Sequence, residues 1–151
     1  MLMMIILTMV FLVIDVVSKI LVSNLMDVYD SVIIVRDVFY ITYVRNTGAA
    51  WSMFAGKTWL LIGVSLIIIG LICFYIYKNK PKSKKEMVGY SLVLGGAIGN
   101  FLDRIIYGYV IDFFDFYIFG YDYPIFNMAD VFIVIGVMIL ILCVWRDKDG
   151  N

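Results

Sequence analysis

The chain has 151 residues, 64% hydrophobic and 16% charged, with twelve basic and twelve acidic side chains, two prolines and no histidine. A mean hydropathy of +0.98 excludes an ordinary soluble globular domain; the formal net charge is zero, and the only basic run is short and beside an apolar stretch, so it reads as a topology signal rather than a nucleic-acid patch. Without histidine there is no Ser-His or Cys-His nucleophile pair and no His-x-x-x-His zinc site, so carboxylate and lysine chemistry remain.

Four apolar stretches run about 2–24, 58–77, 87–106 and 126–145, each close to the roughly 20 residues a helix needs to cross hydrocarbon. They predict an all-α membrane protein, one polytopic domain over residues 1–151 with four transmembrane helices. The first stretch lacks a basic start and stays apolar beyond the length of a signal-peptide core, so it is expected to be a retained helix. It carries Asp15 and Lys19 near its end. In the loop 25–57, residues 32–44 are rich in β-branched and aromatic types and too short to cross, which predicts one or two strands. Arg45-Asn-Thr-Gly-Ala-Ala-Trp-Ser-Met-Phe54 follows, a turn with small and then aromatic residues, expected to lie in the membrane interface beside a small extracytoplasmic β platform.

After the second stretch, Lys78-Asn-Lys-Pro-Lys-Ser-Lys-Lys85 carries five lysines, and Arg146 and Lys148 follow the fourth. The positive-inside rule then places both termini on the cytoplasmic side, with the loops 25–57 and 107–125 outside. Trp51, Phe54 and Trp59, with the aromatic run 107–126, suit an outer interfacial belt. In the third stretch Gly95, Gly96 and Gly99 are spaced for close helix packing, and Asn100, Asp103 and Arg104 share a helix face at i, i+3 and i+4. The next loop contains Gly108-Tyr-Val-Ile-Asp-Phe-Phe114, strand-like around Asp112, with Asp115 read as a solvated loop charge. Asn127 is placed to cap the fourth stretch, and Asp130 lies one turn inside it. Cys73 and Cys143 both fall near the cytoplasmic side as packing residues, and no structural disulfide is expected.

Alternate crossing brings Asp15, Lys19, Asn100, Asp103, Arg104, Asn127 and Asp130 to the same outer side. Ionisable groups at membrane depth are costly and mark functional sites. Asp15 has Lys19 four residues on, the favourable acid-first spacing, and the two are either part of a site or only a buried pair linking helices. Asn100, Asp103 and Arg104 form a supporting hydrogen-bond frame. Asp112 and Asp130 lack assigned partners, and each is available to the other. Two carboxylates sharing a site keep one proton between them and titrate as a unit. Such a pair splits an amide with water: the ionised member takes the water proton, and the protonated member polarises the carbonyl and protonates the leaving nitrogen. No metal or organic cofactor is needed. Asp112 alone reads as a loop charge, and only its joint placement with Asp130 favours catalysis.

Two rival classes remain. A small proton-coupled transporter or channel subunit also places carboxylates in membrane helices, but it needs them along a path, and here the cytoplasmic halves are almost wholly apolar. A Ser-Lys peptidase could be built from Lys19 and Ser23 at i+4.

Five motifs in order carry a resemblance over nearly the whole chain: Asp15-Val-Val-Ser-Lys19, Asn46-Thr-Gly-Ala-Ala-Trp-Ser52, Gly95-Gly-Ala-Ile-Gly-Asn-Phe-Leu-Asp-Arg104, Val110-Ile-Asp-Phe113 and Phe126-Asn-Met-Ala-Asp130. With them the chain resembles the lipoprotein signal peptidases, or signal peptidase II, the bacterial membrane aspartic peptidases. The resemblance implies a catalytic dyad of Asp112 and Asp130, supported by Asp15, Lys19, Asn46, Asn100, Asp103, Arg104 and Asn127. It also implies cleavage of diacylglyceryl-modified prolipoproteins immediately before the lipidated cysteine, in the bacterial cytoplasmic membrane and among its lipids. Cyclic peptide antibiotics such as globomycin are expected to bind the same cleft.

Overall fold

In the computed structural model, which describes residues 1–49 and 53–148, four long helices carry a small sheet at one end. The helices are α1 (Leu2–Leu25), α2 (Thr58–Asn79), α3 (Lys84–Tyr107) and α4 (Met128–Lys148). At 1.5 Å per residue each is about 30 Å long or more, enough to cross hydrocarbon. Leu2–Leu25, Thr58–Asn79 and Met128–Arg146 are long and apolar enough to cross a membrane. Their outward faces stay exposed and apolar, as at Ile67, Leu71 and Phe74 of α2, because lipid gives such side chains no reason to turn inward.

α3 is as long as its neighbours but more interior, packing against α4, α1 and α2. Its buried face carries the polar residues Ser91, Asn100 and Asp103. It begins at Lys84 rather than 87, because the Ser83 hydroxyl accepts the Glu86 N–H at 3.1 Å and so starts the helix inside the lysine run. α4 begins at Met128 rather than 126, immediately after Asn127.

Residues 32–44 form two strands, β1 (Ser31–Val35) and β2 (Phe39–Asn46), and the second loop forms β3 (Val110–Ile118) and β4 (Tyr121–Asp122). They make one antiparallel sheet in the order β1-β2-β3-β4. Pairing of Val44 with Asp112 and of Asn46 with Val110 brings the end of β2 to the start of β3. The sheet is seated on the end of α1 by Tyr43, Ile111 and Phe113, which pack with Val22 and Met26. The expected interfacial element is only partly visible: Arg45 and Asn46 belong to β2, residues 53–56 make a turn, and Ala50, Trp51 and Ser52 lie outside the described residues. Cys73 and Cys143 are free thiols.

The small residues of α3 set the distance between helices. A Cβ on Gly95 would stand 2.8 Å from the Phe11 Cβ of α1, one on Gly96 would strike the Ala129 carbonyl of α4, and one on Gly136 of α4 would stand 2.7 Å from the Gly89 carbonyl oxygen. A backbone oxygen cannot step aside, so overpacking here costs on the order of 1–3 kcal/mol. Gly96→Val should lower the thermal midpoint of the detergent-solubilised protein by several degrees, whereas Gly63→Ala on α2, where a Cβ meets nothing within 4 Å, should leave it unchanged or raise it slightly. Equal stability of Gly96→Val and the parent would contradict this packing.

Candidate active site

The base of the site is an ion cluster between α1, α3 and α4. Asp15 and Lys19, one turn apart on α1, are 0% and 2% exposed. The Lys19 ammonium lies 2.8 Å from Asp15 Oδ2 and 3.0 Å from Asp103 Oδ2, and it donates to Asn100 Oδ1 at 3.0 Å. Three donors thus face three oxygens, the condition under which a buried ammonium is tolerated. Gly99 makes room, since any Cβ there would collide with the Asp15 carboxylate. Asp15 Oδ1 accepts the Ala129 N–H at 2.9 Å in the first turn of α4, where an anion is favoured. Asp103 Oδ2 accepts the Ile111 N–H at 3.2 Å and so draws in β3.

Above this cluster lies a layer of amides. Asn100 donates to Asp130 Oδ1 at 2.8 Å. Asn127, fully buried, divides its Nδ2 donors between Asp112 Oδ1 at 2.7 Å and Asn100 Oδ1 at 3.0 Å. Its own Oδ1 accepts the Asp130 N–H at 3.1 Å, while Asp130 Oδ2 accepts the Asn127 N–H at 3.2 Å. This is a reciprocal capping box in which Asn is the cap and Asp replaces the usual Glu or Gln. One residue therefore starts α4 and holds Asp112 with its side chain, and orients the Asp130 carboxylate with its backbone N–H.

The remaining walls come from the sheet and α3. Asn46 donates to Asp112 Oδ2 at 2.9 Å and is itself steadied by the Gly48 N–H on its Oδ1 at 2.9 Å. Arg104 donates from Nη1 to the Asn100 carbonyl and from Nη2 to the Gly48 carbonyl, at 3.2 and 3.0 Å. It thereby ties the loop after β2 to α3.

Asp112 and Asp130 open on one cleft of about 610 Å³ with Asn46, Asn100 and Arg104. The rest of the lining is largely apolar, including Phe116 and Ile118 of β3 and Val131, Val134 and Ile135 of α4. Burial and the neighbouring Asp130 push the Asp112 carboxyl from 3.8 up to about 7, against the opposing pull of the Asn46 and Asn127 hydrogen bonds. Among the described residues no three His, Cys, Asp or Glu side chains gather as a metal-binding group.

All nine site residues expected from the sequence join this one network. Ser23 does not: its hydroxyl donates to the Ile20 carbonyl at 3.2 Å, while the Lys19 donors are directed to Asp15, Asn100 and Asp103. Asp115 corrects an expectation. Instead of a solvated charge it is 6% exposed and accepts the Thr42 hydroxyl at 2.6 Å, because β3 continues through it and pairs Tyr40 with Asp115. The length of that strand pattern, rather than the charge, was the available signal. The Ala129 N–H and the Gly48 carbonyl were missed, since backbone groups leave no mark in a sequence.

The family model described as signal peptidase (SPase) II matches residues 7–146. A lipoprotein signal peptidase of Clostridium acetobutylicum is 45% identical over 122 residues, 78% of this chain and 79% of that protein. One from Haemophilus ducreyi is 42% identical over 146 residues, 94% of this chain and 90% of that protein. A solved bacterial membrane enzyme, determined by the in meso method at 2.3 Å, superposes with a TM-score of 0.90 at 34% identity, covering 99% of this chain and 91% of that one.

The raised value of Asp112 carries a stability signature. The folded protein holds this proton more tightly than the unfolded chain, so the contribution is most favourable below about pH 4 and is lost as pH rises towards about 7. The thermal midpoint should therefore decline across that interval, and Asp112→Asn should flatten the decline. An identical slope in the variant would assign the proton to another group.

Proposed function

The chain belongs to the signal peptidase II family, and from that premise we propose that Asp112 and Asp130 are the aspartic dyad with which it processes prolipoproteins. As a protease of this family it removes signal peptides from prolipoproteins in the membrane. The substrate is the diacylglyceryl-modified form, cut immediately before the lipidated cysteine. The observation that supports the dyad best is that one buried amide, Asn127, donates to Asp112 and caps the helix turn that orients Asp130.

The chemistry follows from a pair that holds one proton. The ionised carboxylate removes a proton from water as the oxygen attacks the scissile carbonyl. The protonated carboxyl hydrogen-bonds that carbonyl, and its proton then serves the departing nitrogen. Asn46, Asn100 and Asn127 position the carboxylates, Arg104 places positive charge beside the developing oxyanion, and Asp15, Lys19 and Asp103 hold the frame beneath.

The chain acts as one polytopic domain over residues 1–151 with four crossings, α3 being the fourth crossing helix although its polar face makes it less apolar. Both termini are cytoplasmic, by the positive-inside rule applied to the lysines of residues 78–85, and the dyad faces the extracytoplasmic side. Val134 and Ile135 line the cleft and are also exposed on the outside of α4, which suits lateral entry of an acyl-anchored peptide from the bilayer. Cyclic peptides of the globomycin type would occupy the same cleft, with lipid at its mouth.

Cleavage of a diacylglyceryl-modified prolipoprotein by detergent-purified protein tests this reading. Asp112→Asn and Asp130→Asn should each lose at least about a hundredfold in rate while still inserting, Ser23→Ala should cut at near the parental rate, and chelator should have no effect. Near-normal turnover by either Asn variant sinks the dyad, and loss of activity in Ser23→Ala alone would favour the Ser-Lys pair.

A further inference from the structure

The two faces of β3 open on different surroundings. Its even-numbered side chains Val110, Asp112, Phe116 and Ile118 line the apolar cleft. On the other face Ile111 and Phe113 are core, whereas Asp115 and Tyr117 line a second cleft of about 430 Å³. The two clefts meet at Asn46, Asp112 and residues 123–125. Asp115 and Tyr117 also border a third cleft, of about 520 Å³, with Ser31, Asp37 and Tyr40. A polar track thus leads away from Asp112 along the sheet. It carries the carboxylates of Asp115, Asp122 and Asp37, and among the described residues no lysine or arginine lines it.

Asp115 is the buried member of this set. Its Oδ2 accepts from Thr42 Oγ1, which is itself 2.9 Å from Ser31 Oγ, but its Oδ1 is buried without a partner among the described residues. A buried acceptor left without a donor is destabilising, and a donor brought by a ligand removes that cost. The terminal torsion of an aspartate is broad, so a small rotation presents this oxygen to the cleft that the side chain lines. The combined field of Asp115 and Asp122 is felt there, for it raises the Tyr117 phenol above its ordinary value.

We propose that Asp115 is a substrate-specificity residue that accepts a hydrogen bond from the polar peptide following the lipidated cysteine and favours basic over acidic side chains there. The inference rests on the signal peptidase reading above. The signal segment and the acyl chains require the apolar cleft, which leaves the polar track for the chain that leaves the membrane. Asp115 is three residues beyond Asp112, about 10 Å along a strand, so an extended peptide beside β3 brings its second or third residue past the cleavage point to this carboxylate.

The test compares diacylglyceryl-modified peptides with Lys or Glu at the first and second residues after the lipidated cysteine, which are the second and third past the cleavage point. The parent should prefer Lys by about three- to tenfold in kcat/KM, the range of a partly screened ion pair. Asp115→Asn should bring the ratio to within about twofold, with the change carried by KM, and the exposed Asp122→Asn, which does not disturb packing, should lower it part of the way. A Lys:Glu ratio that is near one in the parent, or that is unchanged in Asp115→Asn, overturns the proposal while leaving the dyad intact. If the parent cleaves neither peptide, the signal peptidase reading falls with it.

Discussion

The buried ammonium of Lys19 is the charge around which one end of this molecule is organised. Hydrocarbon offers no water to an unpaired ion, so the helices must meet where its three oxygens can surround it. Asp15 supplies one from the same helix, and Asp103 and Asn100 supply the others from α3. The partners extend the constraint: the second oxygen of Asp15 holds the Ala129 N–H of α4, and Asp103 holds the Ile111 N–H of β3. Four elements are thereby fixed by one charge. The glycines of α3 are the steric condition for this arrangement, since a side chain at 96 or 99 would occupy the positions of the Ala129 carbonyl or the Asp15 carboxylate.

The same rule governs the layer above. Asn100 and Asn127 carry the influence of Lys19 towards Asp112 and Asp130 through amides, which donate to a carboxylate without adding a charge. A cation in direct contact would hold both carboxylates ionised, whereas amide donors and burial leave Asp112 free to keep a proton up to about pH 7. The reciprocal cap between Asn127 and Asp130 makes the start of α4 and the orientation of Asp130 a single structural event. That link explains why the helix boundary and the orientation of the Asp130 carboxyl coincide.

β3 then divides the space around the pair. Strand periodicity sends alternate side chains to opposite faces, so a single nine-residue strand borders the apolar cleft with Phe116 and Ile118 and a polar cleft with Asp115 and Tyr117. A substrate that is apolar on one side of its cleavage point and polar on the other matches that division, with Asp112 at the shared corner.

Much of this was legible before any coordinates. Helix positions follow from apolar runs of bilayer length, and alternate crossing is what predicted the convergence of Asp15, Lys19, Asn100, Asp103, Arg104, Asn127 and Asp130, because hydrocarbon rejects such groups unless they meet. Asn46 was reached only through resemblance, having no apolar context to make it conspicuous. Asp115 was misread because its neighbours in sequence resemble a loop, whereas its neighbours across the strand bury it. The sequence by itself determined which residues had to leave lipid and to which end of the helices they would go, since both depend on composition and length. Only the tertiary structure decided which oxygen meets which donor, that Asn127 serves both carboxylates, and which side of β3 is polar, because those depend on strand register, helix separation and backbone groups that every residue type shares.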